Sequence, residues 1–307
     1  MRVMGRAAAF GLSLILVLTG LGHAGVIRHD VADSDYTTLA NDSIYDAAGR
    51  VTFGNNTDWG SGTLVAGRWF ITAAHLVRSN ALNNTPGNVR FTVGGNTYVG
   101  EQIYMHPGYV AATPSNGNDL AIVRLADVVP NVDPIGFYTA MDELGQTGTY
   151  VGFGRTGNGV TGQTVNSAVK RGGANDVDVT GDQFSIGWSS NVLLSDFDSP
   201  LANESSFGSS TPGPLEYLPA EKDSGAGLFL DVNGVPKIAG VVSFALFDSD
   251  GLNFSYGDGI ASTRISGQMT WITSVVPESS AARLLAIPFS ILLLAGLARR
   301  FAIVRAS

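Results

Sequence analysis

The chain has 307 residues, of which 44% are hydrophobic and 14% charged, and its formal net charge is −8. The negative charge and the lack of a basic stripe in the middle of the chain exclude a typical nucleic-acid-binding surface, because phosphate contacts need clustered Lys and Arg. The chain has no cysteine, which excludes disulfides, thiolate zinc sites and a cysteine nucleophile. With 39 glycines and few charges, the composition favours an all-β protein with many tight turns.

The first residues are typical of a targeting segment. Residues 1–24 place Arg2 and Arg6 ahead of an apolar run from residue 7 to about residue 21, and the small residues Gly22 and Ala24 follow it. This pattern predicts a cleaved signal peptide and therefore export. An uncleaved N-terminal anchor is the alternative, and the apolar run is short for one.

Between the two ends, strand patterns dominate. Residues 63–74 predict two strands joined by a turn at Ala66-Gly67, and residues 88–100 predict a hairpin that turns at 94–96. Residues 120–128 predict a further buried strand, and Asn233-Gly234 predicts the turn of another hairpin.

One segment predicts a helix, because Ile265, Met269, Ile272 and Val276 recur at helical spacing. Residues 130–145 are interpreted as a connection between two β halves. Residues 195–215, rich in Ser, Pro and Gly, are interpreted as a long surface loop.

Ser224, in the segment "EKDSGAGLFL" (221–230), is a candidate nucleophile in a tight turn. The same letters also fit an ordinary turn before a buried strand. A serine nucleophile needs a base and an orienting acid. His75 ends "FITAAH" and Asp119 precedes "LAIVRL", so both are predicted at strand ends, where each taken alone could be structural.

Seven segments in order resemble the trypsin-like serine proteases of the chymotrypsin fold. The resemblance runs from about 61 to 272, and the chain order His, Asp, Ser is the order of that family. The segments are "SGTLVAGRWFITAAH", "IYMHPGY", "NDLAIVRL", "YVGFGRTG", "KDSGAGLFL", "IAGVVSF" and "TRISGQMTWI". The resemblance implies a peptidase domain at 25–276 with two six-stranded antiparallel β-barrels, at about 40–132 and 145–264, and a helix at 265–276.

The resemblance also implies catalytic roles. Ser224 would attack the scissile carbonyl, His75 would act as base and then acid, and Asp119 would orient His75. The backbone N–H groups of Lys222 and Ser224 would form the oxyanion hole. Asp223 would pair with a newly freed N-terminus, supplied by a residue between 25 and 27.

The substrate-binding residues follow by position. Ser243, Phe244 and Ala245 would pair with the substrate backbone as an added strand, and Leu218 would form the floor of the primary pocket. Because leucine cannot pair with a cation, specificity for Lys or Arg is not expected, and a small or apolar residue before the cleaved bond is.

Two features depart from the family pattern. Lys222 stands where the family has glycine, and its side chain is expected in solvent. Ala226 and Gly227 replace the family's Gly-Pro.

An acidic loop gives a weaker signal. Asp248, Asp250 and Asp258 faintly resemble a calcium loop but lack the EF-hand spacing, so they are interpreted as an acidic surface loop. No metal and no cofactor is predicted.

The other end of the chain carries a second resemblance. "VVPESS" at 275–280, an apolar run at 284–298 and the pair Arg299-Arg300 resemble the PEP-CTERM sorting signal of Gram-negative bacterial exported proteins, with Ser279 in place of its second proline. The resemblance implies that 277–307 is a sorting or transmembrane tail and that the protein reaches the cell envelope or surface.

The sequence therefore predicts an exported, membrane-tethered serine endopeptidase that acts on proteins or peptides, with sorting machinery as a further partner. A catalytically silent protein that uses the same barrels as a binding module remains open, as does a purely structural surface protein.

Overall fold

The computed structural model describes residues 25–54, 58–78, 85–201 and 205–277. The predicted signal peptide, and the sorting tail from residue 278 onward, therefore lie outside the described residues. Within the ranges given, no helix has the length and apolar character needed to cross a membrane.

Most of the regular secondary structure in these ranges is β-strand. In chain order the first strands are β1 (Gly25–Ile27), β2 (Ala48–Phe53), β3 (Trp59–Ala66), β4 (Trp69–Thr72), β5 (Val89–Val93), β6 (Asn96–Met105) and β7 (Ala121–Leu125). The others are β8 (Thr147–Gly152), β9 (Thr156–Asn158), β10 (Gly162–Val165), β11 (Arg171–Asp176), β12 (Val179–Thr180), β13 (Val192–Asp196), β14 (Tyr217–Leu218), β15 (Gly227–Val232), β16 (Val235–Leu246) and β17 (Gly259–Arg264). The α-helices are α1 (Asp33–Ala40), α2 (Ala74–Arg78), α3 (Gly181–Phe184) and α4 (Met269–Val275).

The first half of the chain forms a closed barrel in the order β2-β3-β4-β7-β6-β5. In β5 every second residue is buried, which places its apolar side chains inside the barrel. Phe70 and Phe91 stack inside the barrel with 4.3 Å between ring centroids. The predicted β5–β6 hairpin is confirmed. It turns at Gly94 and Gly95, which have φ values of 56° and 75°, the left-handed geometry that a tight hairpin turn requires.

The second half forms a seven-stranded sheet in the order β11-β8-β15-β16-β17-β13-β12. The β15–β16 hairpin turns at Asn233-Gly234 as predicted, with φ values of 57° and 82°. The core of the second half is an apolar cluster separate from that of the first barrel. It includes Tyr150, Leu193, Phe197, Tyr217, Leu228 and Ile260.

The prediction of an all-β protein with two barrels is confirmed, but the second sheet is a half-barrel. Its edge strands β11 and β12 do not pair with each other within the described residues. The edge strand β12 is two residues long and leads directly into α3, so it offers little backbone with which to close the sheet.

The predicted C-terminal helix is present but begins later than expected. A 3₁₀ turn at Ser266–Gln268 precedes α4. Ile265, Ile272 and Val276 are buried in the core cluster of the first barrel, so the end of the second half packs against the first. Residues 130–145 contain no strand and connect the two halves, as predicted, with one isolated bridge at Phe137.

The segment expected to be a long surface loop, 195–215, is anchored by buried acids. Its first residues complete β13, and Asp196 and Asp198 are buried. Burial raises the pKa of Asp178 to about 8, and the charge of Asp196 adds to this shift. Burial likewise raises the pKa of Glu216 to about 8 and that of Asp198 to about 6.

These shifts make stability depend on pH. Between about pH 4 and pH 8 the folded protein keeps protons on these carboxyls that the unfolded chain has already released. We therefore expect the free energy of unfolding to fall as pH rises from 5 to 8, by roughly 1 kcal/mol or more. Urea denaturation at several pH values measures this change.

Asp178→Asn provides the control, because an amide keeps an acceptor for the Asp196 N–H, which lies 3.3 Å from Asp178 Oδ2, but does not ionise. The variant should show a smaller fall between pH 5 and 8 than the wild type. Equal slopes for the two proteins would contradict the assignment.

Candidate active site

His75 and Asp119 meet because they leave the same end of two paired strands. The strands β4 and β7 are antiparallel, with Thr72 opposite Ala121. His75 follows Thr72 on α2, and Asp119 precedes Ala121. The predicted positions at strand ends are thus close to those observed, except that His75 lies on a five-residue helix.

Asp119 is 1% exposed and accepts several hydrogen bonds. Its Oδ1 accepts the backbone N–H of His75 at 2.8 Å, and its Oδ2 lies 2.6 Å from His75 Nδ1. Ser243 Oγ donates to the same Oδ2 at 2.5 Å. Burial alone would raise the pKa of Asp119, but the hydrogen bonds from His75 and Ser243 and the charge of His75 bring it below its usual value. The side chain is therefore an anion at neutral pH.

Ser224 completes a chain of hydrogen bonds with these two residues. His75 Nε2 lies 2.8 Å from Ser224 Oγ. A carboxylate acceptor at Nδ1 favours the tautomer that carries its proton there, so Nε2 is left as an acceptor for the serine hydroxyl.

The loop that carries Ser224 is fixed by backbone hydrogen bonds to both halves. Ser61 N–H, on β3, donates to Ser224 O at 2.8 Å, and Gly225 N–H donates to Val242 O at 2.9 Å. Gly225 has a φ of 85°, and a Cβ there would lie 2.1 Å from Thr72 Oγ1 and 2.2 Å from Ser61 O. Only glycine allows this approach between the loop and the first barrel.

The peptide between Glu221 and Lys222 has a fixed orientation. Glu221 O accepts the Arg155 N–H at 2.6 Å, and the trans geometry of a peptide points the Lys222 N–H in the opposite direction. Within the described residues, neither the Lys222 N–H nor the Ser224 N–H has a hydrogen-bond acceptor. Both residues line the cleft, so these two donors are available to a ligand there.

Lys222 adopts a backbone conformation that is unusual for a residue with a side chain. Its φ is 71°, which costs an L-residue roughly 1–2 kcal/mol. The expectation that this side chain extends into solvent is wrong. Its Nζ forms an ion pair with Asp58 and lies 5.5 Å from the centroid of the Trp59 ring.

Sequence reasoning missed Asp58 and Trp59. The only available signal was a lysine where the family has glycine, which calls for a compensating contact but does not say which residues provide it.

A cavity of about 590 Å³ lies beside Ser224. Ala220, Val242, Phe254 and Ile260 give it apolar lining. Leu218, the expected pocket floor, is not among the lining residues. It is fully buried in β14, where it pairs with Val26 of β1.

The residues expected to pair with substrate lie on the same side of the cleft. Ser243, Phe244 and Ala245 all line the cavity. A bulge in the β16–β17 pairing falls between Val242 and Phe244. Beyond Val242, β16 pairs with β17 alone within the described residues, so its other edge is open.

Asp223 is fully buried, and its hydrogen-bond partners among the described residues are backbone groups. Its Oδ1 accepts Gly154 N–H at 2.7 Å, and its Oδ2 accepts Ala220 N–H at 3.0 Å. Burial raises its pKa to about 7, and no ion pair reaches it within the described residues.

The first described residue lies in the same region as Asp223. Gly25 pairs with Thr156, next to the segment that donates to Asp223, and a Cβ on Gly25 would lie 2.0 Å from Tyr217 Oη. Among the described residues the buried Tyr217 hydroxyl has no hydrogen-bond partner, and burial together with the charge of Asp223 raises its pKa.

The acidic loop uses its carboxylates to hold its own backbone. Asp258 accepts the N–H groups of Asp248 and Ser255 at 2.8 and 2.9 Å, and Asp250 accepts that of Leu252 at 2.7 Å. Over the described ranges, no group of three or more His, Cys, Asp or Glu side chains is placed to hold a metal ion.

Two packed β-barrel sheets with a hydrogen-bonded serine, histidine and aspartate between them define the class of chymotrypsin-like serine peptidases. Comparisons with known proteins agree. A family model described as trypsin matches residues 40–209, a range that includes His75 and Asp119 and ends before Ser224. The chain belongs to the trypsin family and is a serine endopeptidase, as the resemblance in its sequence implied.

Several relatives are similar over most of their length. Chymotrypsin-like elastase family member 1 of Rattus norvegicus is 30% identical over 237 residues, covering 70% of this chain and 77% of the relative. The Bos taurus protein of the same name is 28% identical over 240 residues, covering 71% and 79%. The solved structure of HL collagenase superimposes with a TM-score of 0.55 at 17% identity, over 82% of this chain and 97% of that one, which supports the fold alone.

Gly225→Ala tests the close approach of the nucleophile loop to the first barrel. Gly251 has the same φ of 85° but has nothing within 4 Å of an added Cβ, so Gly251→Ala is a matched control for backbone strain. We expect the control to lose about 1 kcal/mol of unfolding free energy and Gly225→Ala to lose about 2–3 kcal/mol more. Equal losses in thermal or urea denaturation would contradict the contact.

Proposed function

We propose that this protein hydrolyses peptide bonds through an acyl-enzyme, with Ser224 as nucleophile, His75 as base and acid, and Asp119 as the group that orients His75. The observation that carries the proposal is the hydrogen-bond chain from Asp119 Oδ2 to His75 Nδ1 at 2.6 Å and from His75 Nε2 to Ser224 Oγ at 2.8 Å.

In the proposed steps His75 receives and returns a proton twice. Ser224 Oγ forms a bond to the scissile carbonyl carbon while its proton passes to His75 Nε2, and the buried Asp119 stabilises the imidazolium. His75 then gives that proton to the leaving amine as the C–N bond breaks, and the acyl-enzyme remains. Water attacks the acyl carbon and gives a proton to His75, which returns it to Ser224 as the acid product leaves.

The oxyanion of each tetrahedral intermediate would be bound by the N–H groups of Lys222 and Ser224. Both donors lack an acceptor within the described residues, so neither must break an existing hydrogen bond to take up the charge. Preorganised donors of this kind contribute several kcal/mol in peptidases.

The cleft also favours a class of substrate. An extended peptide would add to the open edge of β16 at Ser243, Phe244 and Ala245, and its side chain before the cleaved bond would enter the apolar part of the cavity. The two carboxylates that line the cavity within the described residues, Asp58 and Glu221, are paired with Lys222 and Arg155. We therefore expect cleavage after small or apolar residues, which agrees with the elastase names of the mammalian relatives.

The proposed location is outside the cytoplasm. The support is the signal-peptide pattern of residues 1–24 and the PEP-CTERM-like pattern of 277–307, which would provide an envelope or surface destination, a membrane tether and a contact with sorting machinery.

Fluorophosphonate labelling tests the nucleophile. We expect the purified protein to be labelled and to cleave a peptide library after small or apolar residues. Ser224→Ala should lose both signals, with at least about a thousandfold lower kcat. A folded protein that begins at Gly25 and is not labelled would overturn the proposal and favour the silent binding module.

The N-terminus gives a second test. A chain that begins at Gly25 would bring an α-ammonium group to the region of Asp223, where it would stabilise the buried carboxylate and with it the loop that carries Lys222 and Ser224. We expect this form to be active and a form that retains residues ahead of Gly25 to be at least about tenfold less active. Activity should fall as the α-amino group deprotonates, near pH 8.

Asp223→Asn is the control for that pair, because its amide cannot bind the ammonium as an anion does. Mass spectrometry of the active form identifies its first residue. Full activity in a form that keeps residues ahead of Gly25 would contradict this route of activation.

A further inference from the structure

In residues 221–225, here called the oxyanion loop, Lys222 is the residue other than glycine that has a positive φ. Rotation about the N–Cα bond of Lys222 sets the direction of the 221–222 peptide relative to Ser224. At the observed φ of 71° Glu221 O reaches the Arg155 N–H. A relaxed lysine would have negative φ, which would turn the peptide and move the Lys222 N–H away from the direction that the proposed oxyanion hole requires.

The lysine side chain is held at its far end. Lys222 Nζ pairs with Asp58 and lies over the Trp59 ring at 5.5 Å, close enough for a cation–π interaction. Both partners are themselves fixed, since Asp58 Oδ1 accepts the Trp59 N–H at 3.0 Å and Trp59 Nε1 donates to Phe153 O at 2.7 Å. The holding contacts are therefore anchored on β3 of the first barrel.

We propose that Lys222 is a positioning residue. Its side chain, held by contacts with Asp58 and Trp59, keeps the oxyanion loop in the left-handed conformation that a glycine at this position would adopt without such contacts. The proposal rests on the proposed function, because it assigns a role to the side chain of a residue whose N–H binds the oxyanion. Glycine adopts this conformation at no steric cost. Lysine must offset the steric cost of this conformation with side-chain contacts that glycine cannot make. In Lys222 the strained backbone and the side-chain contacts occur in the same residue.

Substitutions at Lys222 separate the side chain from the backbone. In Lys222→Ala the backbone strain remains but the contacts with Asp58 and Trp59 are lost, so kcat should fall about tenfold, which corresponds to the usual cost of this conformation. In Lys222→Gly both the side-chain contacts and the backbone strain are lost, so kcat should recover to within about threefold of the wild type. KM should change less than kcat, because the oxyanion donors act mainly in the transition state.

Asp58 provides the coupling test. Asp58→Asn should lower kcat about threefold in the wild type and have less effect in the Lys222→Gly background, where there is no lysine to hold. Because the pair is partly exposed, with side-chain exposures of 33% and 43%, salt should screen it. Raising NaCl from 0.05 to 1 M should therefore lower kcat more in the wild type than in Lys222→Gly.

The controls distinguish this proposal from the proposed function. Lys237→Ala removes a lysine outside the cleft and should leave kcat unchanged, and thermal unfolding shows that each variant is folded. If the folded wild type that begins at Gly25 is not labelled by fluorophosphonate, the proposed function fails. If the wild type is active but Lys222→Ala equals it, or if Lys222→Gly is no better than Lys222→Ala, the role of the side chain is overturned and the proposed function stands.

Discussion

The Asp119 carboxyl receives hydrogen bonds from both halves of the molecule, and the arrangement of the site depends on it. His75 donates from the first barrel and Ser243 from the second sheet, while the Asp119 carbonyl accepts Thr263 Oγ1 at 3.2 Å. A buried carboxylate is stable only when such donors surround it. The same bonds that compensate for its burial therefore set the position of one half relative to the other and turn His75 toward Ser224.

The sequence predicted the hairpin turns and the candidate catalytic residues, because short motifs specify both. Gly94-Gly95 and Asn233-Gly234 specify hairpins because their left-handed conformations are needed within two residues. The ordered motifs located His75, Asp119 and Ser224, which the fold brings together. Contacts between distant segments were not predictable in this way. Asp58 and Trp59 meet Lys222 across the cleft, and Leu218 is turned into the sheet by its pairing with Val26, which no pattern near residue 218 records.

Strain and ligand access coincide in the cleft. Lys222 and Phe254 are two of the residues other than glycine with positive φ in the described chain, at 71° and 61°, and both line the cavity. Phe254 packs edge-on against Phe247, with 5.0 Å between centroids. Strained backbone persists where surrounding contacts over-determine it, so the walls of this cavity are shaped by tertiary contacts more than by local preference.

The first residues of β3 have a consequence for how this fold can be divided. By sheet pairing, residues 59–61 belong to the first barrel, yet Trp59 donates to Phe153 O, Ser61 accepts from Phe153 N–H at 3.0 Å, and Ser61 donates to Ser224 O. By these contacts, the short stretch belongs with the second half of the molecule and with the loop that carries Ser224. A chimaera that joins the first barrel of one relative to the second barrel of another would therefore separate partners, unless residues 58–61 were exchanged together with the second barrel.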